Sequence, residues 1–183
     1  GLFAAISRNV AEDSEQTVEL FHGVRESLLK LGFNARFGIC IPEFLPETAC
    51  RDEDALIFYC NSAVLLSSRE SNEVSFFSKF TPTFVLHHWR RQGKAIDAIV
   101  DFQQFQEYGI YGPSENNQLG LAIMENDLAD YFSLAKAAFS GATASDPEKP
   151  VYRANLGTLL TREGRYQEAL STFTPIADYV VEQ

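Results

Sequence analysis

DPEKPVYRANLGTLLTREGRYQEALSTF, residues Asp146 to Phe173, is the stretch that decides how the C-terminal part of this chain folds. Apolar residues recur at helical spacing on both sides of Gly164, so two helices joined at that glycine account for the pattern. Gly157 follows Leu156 in the first helix, and Tyr166 opens the second, in which Ala169 and Phe173 are one helical turn apart. Small residues at Gly157 and Ala169 let the two helices approach closely, while Leu156, Leu160, Tyr166 and Phe173 fill the interface between them. Pro175 removes a backbone donor and is expected to kink or end the second helix early.

These residues and their order resemble a tetratricopeptide repeat. The sequence step that defines the repeat takes Ala169 back to Ala135 and Phe173 back to Phe139, with Ala142 and Pro147 also in matching places. Asp130 to Ala144 then reads as the second helix of an earlier unit, and Leu119 to Glu125 as its first, with Ile123 standing where a small residue is expected. The resemblance implies a helical surface that recruits a protein partner, and it places Asn155, Thr158 and Arg162 on the face turned toward that partner. Helices that merely cover the N-terminal part are the alternative.

Upstream, the pattern reads as α/β. Leu2 to Ile6 is a short apolar run. Thr17 to Leu31 has helical spacing and stops at Gly32, and Phe33 to Ile41 alternates like a strand before Pro42. Glu43 to Asp54 is acidic and carries Pro46, which predicts a loop. The continuous apolar run Ala55 to Cys60 predicts a buried central strand, Asn72 to Phe80 a short helix, and Thr81 to His88 and Ala95 to Phe102 two further strands. Tyr108 to Gln118, with its Gly, Pro and Asn residues, reads as a linker. The expected architecture is an open, mostly parallel wound sheet of Rossmann or flavodoxin-like type over residues 1–112, followed by an all-α tetratricopeptide-like region over 113–183.

The order of Phe3 to Asn9, the helix ending in Leu31, Gly32 and Phe33, and LIFYCNSAVLLSSRESNEVSFF (Leu56 to Phe77) resembles a Toll/interleukin-1 receptor (TIR) type domain. A nucleoside deoxyribosyltransferase-like domain shares the same plan. The TIR resemblance implies that Glu73 falls on the glutamate which, in enzymatic members, helps cleave the nicotinamide–ribose bond of NAD. It also implies that Ser7, Arg8 and Asn9 contact the nucleotide. A carboxylate suits such work because it holds ribose hydroxyls and stabilises an oxocarbenium-like centre. The short, proline-bearing segment before Ala55 departs from the family, which has a full helix there.

Composition narrows the function classes. Formal net charge is −10. Basic and acidic residues number 10 and 15 up to Pro113 and 5 and 10 beyond it, so both parts are acidic. Arg90, Arg91 and Lys94 form the one basic cluster, too small for a nucleic-acid footprint. No apolar run approaches the roughly 20 residues of a membrane span. The N-terminus lacks a basic n-region, and its first residue is not Met, which reads as a trimmed piece of a longer chain. Cys40, Cys50 and Cys60 have neither CxxC nor zinc-finger spacing, so no metal is expected, and reduced thiols in apolar runs point to the cytoplasm. His87 and His88 are adjacent on an expected strand and point to opposite faces, which disfavours a shared metal. There is no phosphate loop, GxSxG or HExxH.

Two functions follow as expectations. The first is an interaction or signalling protein that recruits a partner through its helices and carries a nucleotide-binding-like α/β domain. The alternative is a TIR-like enzyme acting on NAD or a related nucleotide as substrate, with no resident cofactor. Part of a sugar-nucleotide glycosyltransferase is a second alternative, and homo-oligomer formation stays open.

Overall fold

The structure, a computed structural model, describes residues 14–40, 45, 52–67 and 74–177, and separates into two compact units, Gly1–Thr81 and Pro82–Gln183. The division lies N-terminal to the change of architecture expected at Gly112.

The first unit contains helix α1 (Ser14–Lys30), strand β1 (Phe37–Ile39), helix α2 (Glu53–Ser67) and strand β2 (Val74–Phe76). α1 ends as its sequence predicts. Gly32 takes a left-handed conformation at φ 85°, and the Phe33 amide donates back to the Leu28 carbonyl, closing the last turn. β1 and β2 pair in parallel with Phe37 opposite Val74, Gly38 opposite Ser75 and Ile39 opposite Phe76. α2 is thus the crossover of a small βαβ unit. Its start is fixed by Asp52, whose carboxylate accepts from the backbone amides of Asp54 and Ala55, satisfying two donors that a helix N-terminus leaves over. Ala55, Tyr59, Ser62 and Ala63 are buried at helical spacing, and the Tyr59 and Phe77 rings pack 4.6 Å apart.

The second unit is helical throughout its described residues. α3 (Thr81–Arg91) and α4 (Ala95–Glu107), α5 (Pro113–Glu125) and α6 (Phe132–Ser145), and α7 (Pro150–Arg162) and α8 (Tyr166–Phe173) form three successive helical hairpins. A continuous apolar core runs through them from Leu86 and Phe102 through Leu119, Ile123 and Phe139 to Leu159. At Pro175 the chain passes from α8 into a 3₁₀ turn, Thr174–Ile176, as the missing proline donor requires.

Several expected elements are corrected. Ala55 to Cys60, Thr81 to His88 and Ala95 to Phe102 are helical, β2 occupies part of the expected helix at Asn72 to Phe80, and α5 begins inside the expected linker. Among the described residues the wound sheet therefore reduces to one parallel pair. The physical reason is periodicity overruling composition. Pro82, Val85 and Leu86 on α3, and Ala95, Ala98, Ile99, Phe102 and Phe105 on α4, are buried at three- and four-residue steps despite their β-branched neighbours. Ala55 to Cys60 is followed, after only Asn61 and Ser62, by a second apolar run, Ala63 to Leu66, and the two together are longer than a buried strand needs.

Candidate functional site: the face across the first helices of the hairpins

Each hairpin closes through the same local chemistry. Gly93 (φ 69°) and Gly164 (φ 73°) end α3 and α7 in the left-handed region that favours glycine. Lys94 then donates its amide to the Trp89 carbonyl, and Arg165 donates to that of Leu160, both at 2.9 Å. The flanking sequences match: Arg91-Gln92-Gly93-Lys94 before Ala98 and Phe102, and Arg162-Glu163-Gly164-Arg165 before Ala169 and Phe173. In the middle hairpin Asp127 (φ 53°) takes the glycine's place and the Leu128 amide donates to the Ile123 carbonyl. A 3₁₀ turn, Ala129–Tyr131, lengthens that connection.

Within the hairpins a glycine faces an aromatic ring. A Cβ on Gly120 would stand 2.6 Å from the Phe139 ring, and one on Gly157 2.6 Å from the Phe173 ring. Gly120, and not Ile123, is therefore the small residue of the α5–α6 crossing, because the added 3₁₀ turn shifts the register between the two helices. In the first hairpin the fully buried Leu86 replaces glycine, and α3 and α4 approach less closely.

Side chains tie the first helices of successive hairpins to one another. From α3 to α5 the Thr83 hydroxyl donates to the Glu115 carboxylate, Arg90 Nη1 donates to Gln118 Oε1 at 3.0 Å, and Arg90 Nε lies 3.2 Å from Glu125 Oε2. From α5 to α7 the ties are Ser114 Oγ to the Tyr152 hydroxyl at 3.3 Å, Asn155 Nδ2 to Asn117 Oδ1 at 2.7 Å, and Arg162 Nη1 to the Met124 carbonyl at 2.7 Å. All three α5–α7 pairs are separated by 38 residues, so the two helices run alongside each other in constant register. Glu115 and Asn117 are each only 7% exposed, and these partners satisfy their buried polar groups.

The three expected partner-binding residues come together on α7. Asn155, Thr158 and Arg162 are spaced i, i+3 and i+7 and so share one helix face. Their roles differ. Asn155 is half-buried and bonded to Asn117, whereas Thr158 is exposed and its hydroxyl donates only to the Ala154 carbonyl of its own helix. Arg162 is exposed while one of its nitrogens is held on Met124. Arg90, Gln118 and Glu125 join this face from α3 and α5. The sequence notes Arg90 only as part of a basic cluster and passes over the other two, because bringing the three together requires knowing which helices run side by side. Glu73, Ser7, Arg8 and Asn9 lie outside the described residues.

The two histidines sit on α3, not on a strand, and His88 packs edge-on to Trp89 with centroids 5.1 Å apart. The Trp89 indole N–H donates to Asp101 at 2.6 Å. Burial raises the Asp101 carboxyl above the ordinary range, the indole bond opposes that rise, and the charge of Asp97 adds to it. Among the described residues no cluster of His, Cys, Asp and Glu could hold a metal, and no helix is long and apolar enough to cross a membrane. Comparison with protein-family models, curated proteins and solved structures finds no match.

Proposed function

We propose that this chain is an interaction or signalling protein in which stacked tetratricopeptide-like hairpins recruit a polypeptide partner across the first helices α3, α5 and α7. The observation that supports the reading is the set of ties joining those helices, above all the constant-register bonds between α5 and α7. They hold Gln118, Glu125 and Arg162 on a polar surface of mixed charge, with the exposed Thr158 between Asn155 and Arg162 on the same face of α7. Such a surface suits a polypeptide better than a polyanion, because its cations already face carboxylate and carbonyl oxygens. For the first unit we propose a nucleotide-binding-like role, with a ligand at the carboxyl ends of β1 and β2, where α/β folds place such crevices.

A photocrosslinking amino acid at Thr158 tests the recruitment reading, with the same group at exposed Gln103 on α4 as control. Adducts from position 158 are mapped, and the captured segment is synthesised and titrated against the purified protein. Saturable binding that Thr158→Arg weakens about tenfold or more, as losing a good contact does, is the expected result. Equal capture at both positions, or a synthesised segment that does not bind, would falsify the reading.

A further inference from the structure

Cys40 and Cys60 come from different elements of the first unit, one just after β1 and the other inside α2, yet their sulfurs lie 3.4 Å apart. Both residues are half-buried and reduced. The contact has a cause in the backbone. Gly38 and Cys40 are two positions apart on an extended segment and so point the same way. A Cβ on Gly38 would collide with the Cys60 carbonyl oxygen and stand 2.8 Å from the Val64 amide nitrogen. Only a residue without a side chain lets β1 lie this close to α2, and that approach brings the thiol two residues further along onto Cys60.

We propose that Cys40 and Cys60 are a redox-modification site that closes to an intramolecular disulfide when the protein meets hydrogen peroxide. The Cys60 thiolate attacks a peroxide oxygen. An S–O bond forms, the O–O bond breaks, and the departing hydroxide takes a proton to leave as water. The Cys40 thiolate then attacks the Cys60 sulfenic sulfur, forming the S–S bond as the S–O bond breaks and releasing a second water. Two thiols are oxidised and one peroxide is reduced to two waters. In the neutral pair the Cys60 thiol donates to Cys40 Sγ. Once Cys60 ionises, the Cys40 thiol and backbone donate to it instead, which lowers the Cys60 pKa against the opposing effect of burial and agrees with the order of attack. Little movement is needed, since the sulfurs are already in van der Waals contact. The resulting bond would pin the end of β1 to the middle of its crossover helix. In a reducing compartment the pair stays open, and a thiol reductant reopens it.

The test uses the full chain carrying Cys50→Ser, which leaves Cys40 and Cys60 as its two thiols. After brief hydrogen peroxide treatment, remaining thiols are alkylated and the protein is digested without reductant. The expected result is loss of both thiols together, a linked Cys40–Cys60 peptide two hydrogens lighter than the sum of its halves, and full recovery with dithiothreitol. Dimedone, which traps sulfenic acid, should label Cys60 about tenfold more in Cys40→Ser/Cys50→Ser than when Cys40 is present to resolve it. Equal labelling in both proteins overturns the proposal, as do linkage only between chains or thiols that survive conditions that fully oxidise glutathione. Should a substituted chain fail to fold, peptide mapping of the unsubstituted protein decides the matter: the same Cys40–Cys60 linkage supports the proposal, and its absence after full oxidation overturns it.

Discussion

Asn155 meets two demands at once. It lies on the proposed recruiting face, and its amide also satisfies the oxygen of Asn117, which is nearly sealed from solvent. Truncation to Ala should therefore destabilise the second unit by about 1–3 kcal/mol, the cost of stranding a buried polar group, measured by urea unfolding. Thr158 has no such tie, and Thr158→Ala should leave stability within about 0.5 kcal/mol, as exposed substitutions do. A loss of binding in Asn155→Ala alone would thus report the scaffold, and Thr158 is the cleaner probe of recognition. Asp101 gives a prediction in pH. Because its folded pKa lies above the ordinary value, the protonated form favours the fold. That stabilisation is fully present below the ordinary carboxylate range and is lost as pH rises through the raised folded value. Asp101→Asn keeps an oxygen for the Trp89 indole yet never ionises. Its stability should exceed that of the parent at neutral pH and change less across the acid window, and a parent curve of equal slope would contradict the assignment.

At the scale of elements, the glycines at helix crossings are the sensitive points. Gly120→Ala should cost about 1–3 kcal/mol through overpacking, because the Phe139 ring it meets is fully buried and has nowhere to move. Gly157→Ala should cost less, since the Phe173 ring is only partly buried and can rotate away. Thermal unfolding of the pair reads the difference directly, and the reverse order would mean that the α5–α6 crossing is the looser of the two. The hairpins also differ in how far the sequence discloses them. Gly157, Ala169 and Gly164 mark the last hairpin because their spacing is that of two helices in contact. The middle hairpin is half legible, since its extra 3₁₀ turn moves Gly120 out of step with Ala135 and Phe139. The first hairpin is hidden. Its β-branched residues suggest strands, and only the likeness of Arg91-Gln92-Gly93-Lys94 to Arg162-Glu163-Gly164-Arg165 carries the signal. Ala55 to Cys60 misleads in the same direction, because a short apolar run does not distinguish strand from helix and the Asp52 cap that settles it lies outside the run. Of the site, the α7 residues are legible from one helix face, while Arg90, Gln118 and Glu125 require knowing which helices run side by side.

For the molecule as a whole, the position of the apolar core predicts which part folds alone. That core, from Leu86 to Leu159, lies within Pro82–Gln183, and three stacked hairpins meet the number such arrays usually need. A fragment from Ser78 to Gln183 retains the Ser78 amide bond to the Thr81 hydroxyl at the start of α3. It should unfold in one cooperative transition by circular dichroism, and Phe102→Ala should lower its stability by about 3–5 kcal/mol. A gradual, non-cooperative melt would show that the hairpins depend on the first unit. The paired turns also make the array modular. Residues 91–102 and 162–173 are of equal length, close with the same left-handed glycine, and keep Ala and Phe at the same places. Their turn geometry is the same, while the helices they join differ, Leu86 standing in the first hairpin where Gly157 stands in the last. The second segment can be transplanted into the position of the first without altering loop length, so this scaffold is open to lengthening or rearrangement by recombination at its glycines.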